Sequence, residues 1–441
     1  MSKSIHIEPR ILKGFRDYMP QDLAIRRSII NKAEKVFERF GFQPLETPAL
    51  EYSEILMGKY GTEGEKLLYR FMDNGNRDIS LRYDLTVPLA RVVAQHRPAL
   101  PFKRFQVGPV WRAEKPARGR FREFIQFDID IAGAQSPVAD AEILIAGISA
   151  LRAIGITDFK VRLNHRALLN AVLRTFGVDD SSQEDVIRAI DKVEKIGIDA
   201  VTEMISQEIG DRDRAVKLTE LVGKEPTLEQ VTKELELDME GRSGAEELAS
   251  IMELCNAAGM GDYIRFSLSI ARGLDYYTGV VFETQLTKLP QFGSVMSGGR
   301  YDGLIGVFMG EIVPAVGISI GIDRLVAALH ELGALEQQSA AVDVEILSMD
   351  KECLNLAFAT ATIVRDAGYS CEIYPRFQRK LGAQLSYAAK RGIEFCILIG
   401  PDEVKTGNVI VRNMNNSSQR SIKPKMLAET LGENNGQKSE S

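Results

Sequence analysis

Apolar residues along the chain recur with two different periods, and the changes between them divide it into elements. After Pro20, Leu23, Ile25, Ile29, Val36, Phe37 and Phe40 fall at helical spacing and stop at Gly41, which predicts a first helix with Asp22 as its cap. Residues 41–52 read as extended, with Pro44 and Pro48 confined to turn or edge positions. Residues 77–86 alternate and predict a strand. Residues 102–110 and 124–131 predict a strand pair joined by a charged connection. Residues 139–154 predict a second helix, ended by Gly155. From 178 to 262 the chain is charged and helical; strands return at 263–270 and 280–285, a glycine-rich segment spans 297–303, and 317–329 runs from strand or turn into helix. Strands on both sides of a helical excursion point to an α+β domain on an antiparallel or mixed sheet, without the regular repeat of a doubly wound fold.

A composition change at 336–341 marks a linker. Beyond it, strand 342–347, helix 354–367, strand 369–374, helix 383–391, strand 395–399 and strand 408–412 predict a small α/β domain. The polar residues from about Met426 are expected to fray. The expected domains are thus 1–177 with 263–333, a helical insertion at 178–262, the small domain at 341–424, and a flexible tail at 425–441.

With 441 residues the chain is too long for one core. It has no apolar run of bilayer length, and its first ten residues have no targeting character. The four cysteines are scattered and read as reduced thiols of a cytosolic protein; four scattered histidines and no H-E-x-x-H predict no protein-held metal. The net charge of −6 conceals an asymmetry: residues 178–262 hold 22 Asp/Glu against 9 Lys/Arg, and the rest of the chain is mildly basic. That suits a polyanionic ligand met by the body, and equally a solvated acidic surface on the insert.

Five basic residues, Arg112, Lys115, Arg118, Arg120 and Arg122, crowd the connection between the paired strands, opposed by Glu114 and Glu123. Such a loop either clamps phosphates or is a solvated hairpin tip. Phe124, Gln126, Asp128 and Asp130 alternate beside it and share one strand face, a composition suited to a polar pocket. In RYDLTVP, Asp84 and Thr86 share a face with Arg82 and can hold an ammonium group, or cap a strand end. SGGRYDGL is not a P-loop, and no G-x-G-x-x-G follows a first strand. Arg324 in GISIGIDRLV lies on the first turn of a helix, as a ligand contact or a surface ion pair. RGLDYYTGVVFE, from Arg272 to Glu283, places an arginine, an acid and two tyrosines between glycines before a strand, either a ligand site or a glycine-bounded hairpin.

Together these segments resemble the signature motifs of class II aminoacyl-tRNA synthetases, and specifically the histidyl-tRNA synthetase family, from about residue 10 to 420. ETPALE resembles the dimer-forming first motif, VWRAEKPARGRFREFIQFDIDIAG the second and GISIGIDRLVAAL the third; RYDLT and RGLDYYTG resemble the two histidine-specific motifs. The resemblance implies an α+β catalytic domain on an antiparallel sheet, a helical insertion and a C-terminal α/β anticodon-binding domain. It implies ligation of L-histidine to tRNA(His) through a histidyl-adenylate in a cytoplasmic homodimer, with ATP as substrate and Mg²⁺ carried on it. By resemblance, Arg112 binds the α-phosphate, Glu114 the adenine side and Arg120 the β/γ-phosphates, while Phe124 and Arg324 sandwich the adenine. Asp84, Thr86 and Gln126 hold the histidine ammonium, Asp130 and Tyr277 read the imidazole, Tyr276 lines the same pocket, and Arg272 bridges the carboxylate and the α-phosphate. Lys115, Arg118, Arg376, Arg379 and Lys380 are the implied tRNA contacts. The last three belong to a basic run, 376–391, that contains no acid and that also reads as a solvated helix face. Asp84 and Asp130 depart from the glutamates of many bacterial members and keep the carboxylate. The rival reading is a regulatory paralogue that senses histidine and charges no tRNA.

Overall fold

The computed structural model describes residues 7–58, 64–117, 119–270, 277–333, 342–375 and 380–435. The chain separates into two compact units, Met1–Leu335 and Glu336–Ser441. Among the described residues the first unit is built on an eight-stranded sheet of order β1-β5-β6-β11-β10-β9-β7-β8. Its strands are β1 Gln43–Pro44, β5 Phe102–Trp111, β6 Glu123–Ala132, β7 Phe159–His165, β8 Ile264–Phe266, β9 Val280–Leu286, β10 Ser294–Arg300 and β11 Ala315–Gly321. The six central strands are antiparallel, and the outermost pairs, β1 with β5 and β7 with β8, are parallel. A separate three-stranded sheet, β2 Leu50–Tyr52, β3 Arg70–Met72 and β4 Asp78–Leu81, has the order β2-β4-β3.

Period-two alternation gives the large sheet two unlike faces. Phe105, Phe127, Ile129, Ile131, Ile318 and Ile320 point to one side and belong to the main core. Helix Pro20–Arg39 packs there with Ile29, Ala33, Val36 and Phe37 buried, next to helix Val138–Ile154. The second helix is apolar around most of its circumference because it is enclosed by other elements. Pro20, at the first helical position, opens the first helix; Asp22 lies in its first turn and does not cap it, since the cap position is Met19. Helices from Gln183–Ile190 to Met239–Ala257 form the acidic excursion, which buries Val186, Val201, Leu218 and Leu248 and turns its charges outward.

Two further local expectations are corrected, and the glycine-rich segment is assigned. The strand expected at 77–86 ends at Leu81, and helix Thr86–His96 begins at Thr86, because Asp84 Oδ1 accepts from the Thr86 and Val87 N–H groups at 3.1 and 3.0 Å. The glycine-rich segment at 297–303 is mostly strand β10, where absent side chains make room for a neighbouring strand's groups. In the second unit the tail expected from 425 begins with helix Leu427–Asn435, whose Leu427 and Leu431 are fully buried.

The second unit is a five-stranded sheet, β12 Val344–Ser348, β13 Cys371–Ile373, β14 Phe395–Ile399, β15 Val409–Asn413 and β16 Gln419–Ile422, in the order β13-β12-β14-β15-β16. The first three strands in that order are parallel and the last pairs antiparallel.

Candidate active site

The polar face of the large sheet is the candidate site. Across β5 and β6 the register pairs Arg104 with Asp130, Gln106 with Asp128, Gly108 with Gln126 and Val110 with Phe124. Across β6 and β11 it pairs Asp130 with Gly317, Asp128 with Ser319 and Gln126 with Gly321. Glycines thus floor the face where acids and amides stand. Gly317 is required by close approach: a Cβ there would lie 1.9 Å from Asp130 Oδ1.

Arg104, fully buried, sets the electrostatics. Its Nη2 lies 2.7 Å from Asp130 Oδ2 and donates to the Leu85 carbonyl at 3.1 Å. The Tyr301 hydroxyl donates to Asp130 Oδ1. Burial raises the Asp130 carboxyl above its ordinary value, with Arg104 and the Tyr301 hydrogen bond opposing it. Burial also pushes Asp128 up to about 7; Arg104 opposes that rise and the charge of Asp130 adds to it. Gln126 Nε2 donates to Ser319 Oγ at 2.5 Å. Several atoms on this face are buried without a hydrogen-bond partner among the described residues: Arg104 Nε and Nη1, Gln106 Oε1, Gln126 Oε1 and Asp128 Oδ1. An unsatisfied buried polar group costs about 1–3 kcal/mol. A row of them on one face makes that face the candidate place for a polar ligand.

Beside this face lies a cavity of about 130 Å³ whose lining includes Arg112, Glu114, Arg120, Phe124, Gln126 and Arg324. The structure therefore gathers the five residues expected to bind ATP around one cavity, with Gln126 reaching it from the polar face. Arg112 donates through Nε to the Tyr83 carbonyl at 3.1 Å, and its guanidinium lies 4.3 Å from the Tyr83 ring and 5.1 Å from the Phe124 ring. Arg120 is engaged by Glu114 at 2.5 Å. Arg324 Nη1 donates to the Ser294 carbonyl. Lys115 is exposed on the same connection.

Asp84 is buried and electrostatically coupled to both Asp128 and Asp130, so it belongs with the polar face. Thr86 opens the adjoining helix. Arg82 reaches the same side of the sheet: a Cβ on Gly108, which stands opposite Gln126, would lie 2.5 Å from its Nη2, and its guanidinium donates to the carbonyls of Thr47 at 2.6 Å and Pro109 at 2.9 Å, tying the segment around Pro48 to β5. Tyr277 packs in the cluster that holds Tyr83 and Tyr301, close enough to β10 that a Cβ on Gly299 would lie 3.0 Å from its ring. Arg272, Tyr276, Arg118, Arg376 and Arg379 lie outside the described residues; Lys380 is exposed at the start of helix Leu381–Lys390. Sequence reasoning missed Arg104, Tyr301 and Asp323. For Arg104 a signal existed, since Arg104 and Gln106 alternate on a strand that is apolar apart from them and Lys103.

The family model for histidyl-tRNA synthetase matches residues 14–325, and that for an anticodon-binding domain matches residues 342–434. A histidine–tRNA ligase of Treponema denticola is 42% identical over 406 residues, covering 90% of each chain. One of Rhodopirellula baltica is 42% identical over 416 residues, covering 92% of this chain and 94% of the other. Among solved structures, histidyl-tRNA synthetase from Nostoc sp. PCC 7120 superposes with a TM-score of 0.84 at 30% identity, over 97% of this chain and all of the other.

Proposed function

Because the chain belongs to the histidyl-tRNA synthetase family, we propose that it activates L-histidine with ATP and transfers the histidyl group to tRNA(His), releasing AMP and pyrophosphate. Its first unit has the class II synthetase-like architecture, a mixed sheet with an antiparallel centre. The observation that carries the site reading is the row of unsatisfied buried groups on the β5–β6–β11 face, next to a cavity lined by cations.

Histidine binds over the polar face. Asp84, Thr86 and Gln126 take the ammonium, and Asp130 and Tyr277 the imidazole nitrogens. A pocket that leaves its own polar groups unpaired when an apolar isostere binds rejects that isostere strongly. Asp130, steadied by Arg104 and Tyr301, keeps one orientation and needs no reorganisation when the ligand arrives. ATP lies in the adjoining cavity with its base between Phe124 and Arg324 and its phosphates toward Arg112 and Arg120, bringing Mg²⁺ with it. The histidine carboxylate attacks the α-phosphorus and pyrophosphate leaves. Arg112 and Arg272 stabilise the charge that develops there, and positioning does the rest. The terminal ribose hydroxyl of the tRNA then attacks the activated carbonyl and AMP leaves.

The second unit binds the anticodon arm, with Lys380 and the flanking Arg376 and Arg379 on phosphates and Lys115 and Arg118 meeting the acceptor end. The active form is a cytosolic homodimer. Leu50, Tyr52 and Phe71, 43–51% exposed on one face of the small sheet, supply an apolar surface of the kind such an interface covers. The histidine-sensing paralogue is disfavoured, since relatives at 42% identity over about nine-tenths of the chain are named as ligases. The test is aminoacylation: labelled histidine should accumulate on tRNA(His) with ATP present. Tight histidine binding with no charging would establish the sensor instead.

A further inference from the structure

Phe124 and Arg324, which both line the cavity, are each one residue away from the two ends of a single hydrogen bond. Asp323 Oδ2 accepts from the Ile125 N–H at 2.6 Å, joining β6 to the start of helix Ile322–Glu331. The other oxygen, Oδ1, accepts from Arg16 Nη2 at 3.0 Å, from Arg26 Nη1 at 3.5 Å and from the Tyr18 hydroxyl. Asp323 is only 2% exposed, so this carboxylate is a buried junction of three segments far apart in sequence.

The donors are themselves stacked. Arg16 and Arg26 lie 4.2 and 3.7 Å from the Tyr18 ring centre, and Arg16 also lies 4.0 Å from the ring of Phe121, which lines the cavity. The N-terminal stretch also grips the basic connection: the Gly14 carbonyl accepts from the Arg122 N–H at 2.8 Å, and the Lys13 carbonyl from Arg122 Nη1 at 3.3 Å. Gly14 has φ +88°, and a Cβ there would lie 2.9 Å from Arg122 and Pro116, so glycine is needed for both conformation and space.

We infer that Asp323 is a positioning residue of the nucleotide pocket, holding Arg324 in register with Phe124, and that residues 13–18 form a strap that acts through it and through Arg122. The inference rests on the reading of the cavity as the ATP site. In Asp323→Asn the amide keeps an acceptor for only one side, and its NH₂ confronts donors on the other. Steady-state pyrophosphate exchange with the full chain reads the effect. Asp323→Asn should raise the KM for ATP about tenfold, the equivalent of losing one charge-assisted hydrogen bond, and leave the KM for histidine within about twofold. Tyr18→Phe should shift ATP alone, by less. Fewer active sites or a lower melting temperature with an unchanged KM for ATP would overturn the inference. If Asp323→Asn fails to fold, Tyr18→Phe and Arg16→Met carry the same test, and an unchanged KM for ATP in both would overturn it. Arg324→Ala separates the two levels. If it raises the KM for ATP while Asp323→Asn does not, only the positioning role fails; if neither changes it, the reading of the cavity fails and the inference with it.

Discussion

Asp128→Asn probes the electrostatic cost of the polar face. Asp128 stands mid-face, 2% exposed, with Oδ1 unpartnered. Burial, with Asp130 adding and Arg104 opposing, moves its carboxyl from 3.8 to about 7. A folded value above the unfolded one means that the folded chain holds a proton the unfolded chain has released. Rising pH therefore favours unfolding between about 4 and 7; the cost is absent below that window and complete above it. At ~1.36 kcal/mol per pH unit, the gap amounts to about 4 kcal/mol, a large share of the ~5–15 kcal/mol that holds a domain folded. Asparagine keeps the size of the side chain and an acceptor for Ser319 but cannot ionise. The chain's one tryptophan, Trp111, lies in β5 of the first unit, so its fluorescence in urea follows the relevant transition. Asp128→Asn should gain about 2–3 kcal/mol over the parent between pH 5 and pH 8. Parallel pH profiles, or a parent that gains on the variant as pH rises, would refute the reasoning.

Arg112→Ala should slow histidine-dependent exchange about 10²–10³-fold, the loss typical of one preorganised charge stabiliser; an unchanged rate would remove Arg112 from the reaction. Tyr277→Phe should raise the KM for histidine while the KM for ATP holds, and equal shifts in both would argue for a packing role alone. In the second unit, Leu431→Ala empties a fully buried position of helix Leu427–Asn435 and should cost about 2–5 kcal/mol in the unfolding of that unit, with exchange unchanged. A variant as stable as the parent would return that helix to the status of a tail.

The paired strands and their polar face were legible because alternation is local: a two-residue period assigns Phe124, Gln126, Asp128 and Asp130 to one side whatever lies across from them. The partners on that face were not. Arg104 reads as one cation on a strand until the register sets it opposite Asp130, and Tyr301 meets that acid from 171 residues away. The alternation at 77–86 misled because Asp84 offers its carboxylate to two backbone N–H groups, a local bond that starts a helix where the pattern continues a strand. The segment 297–303 was legible only as glycine-rich, whereas Gly299 sits in a strand where Tyr277 packs against it. Asp323 and Tyr18, 305 residues apart, had no sequence signal linking them.

The most direct measurement of the central claim is ATP–pyrophosphate exchange with the purified full chain, each amino acid supplied singly and tRNA omitted. Exchange should appear with histidine, stay at background with the others, and collapse in Asp130→Asn while ATP binding persists. Exchange that is equal across amino acids, or driven by another one, would contradict the assignment of the β5–β6–β11 face as a histidine-activation site.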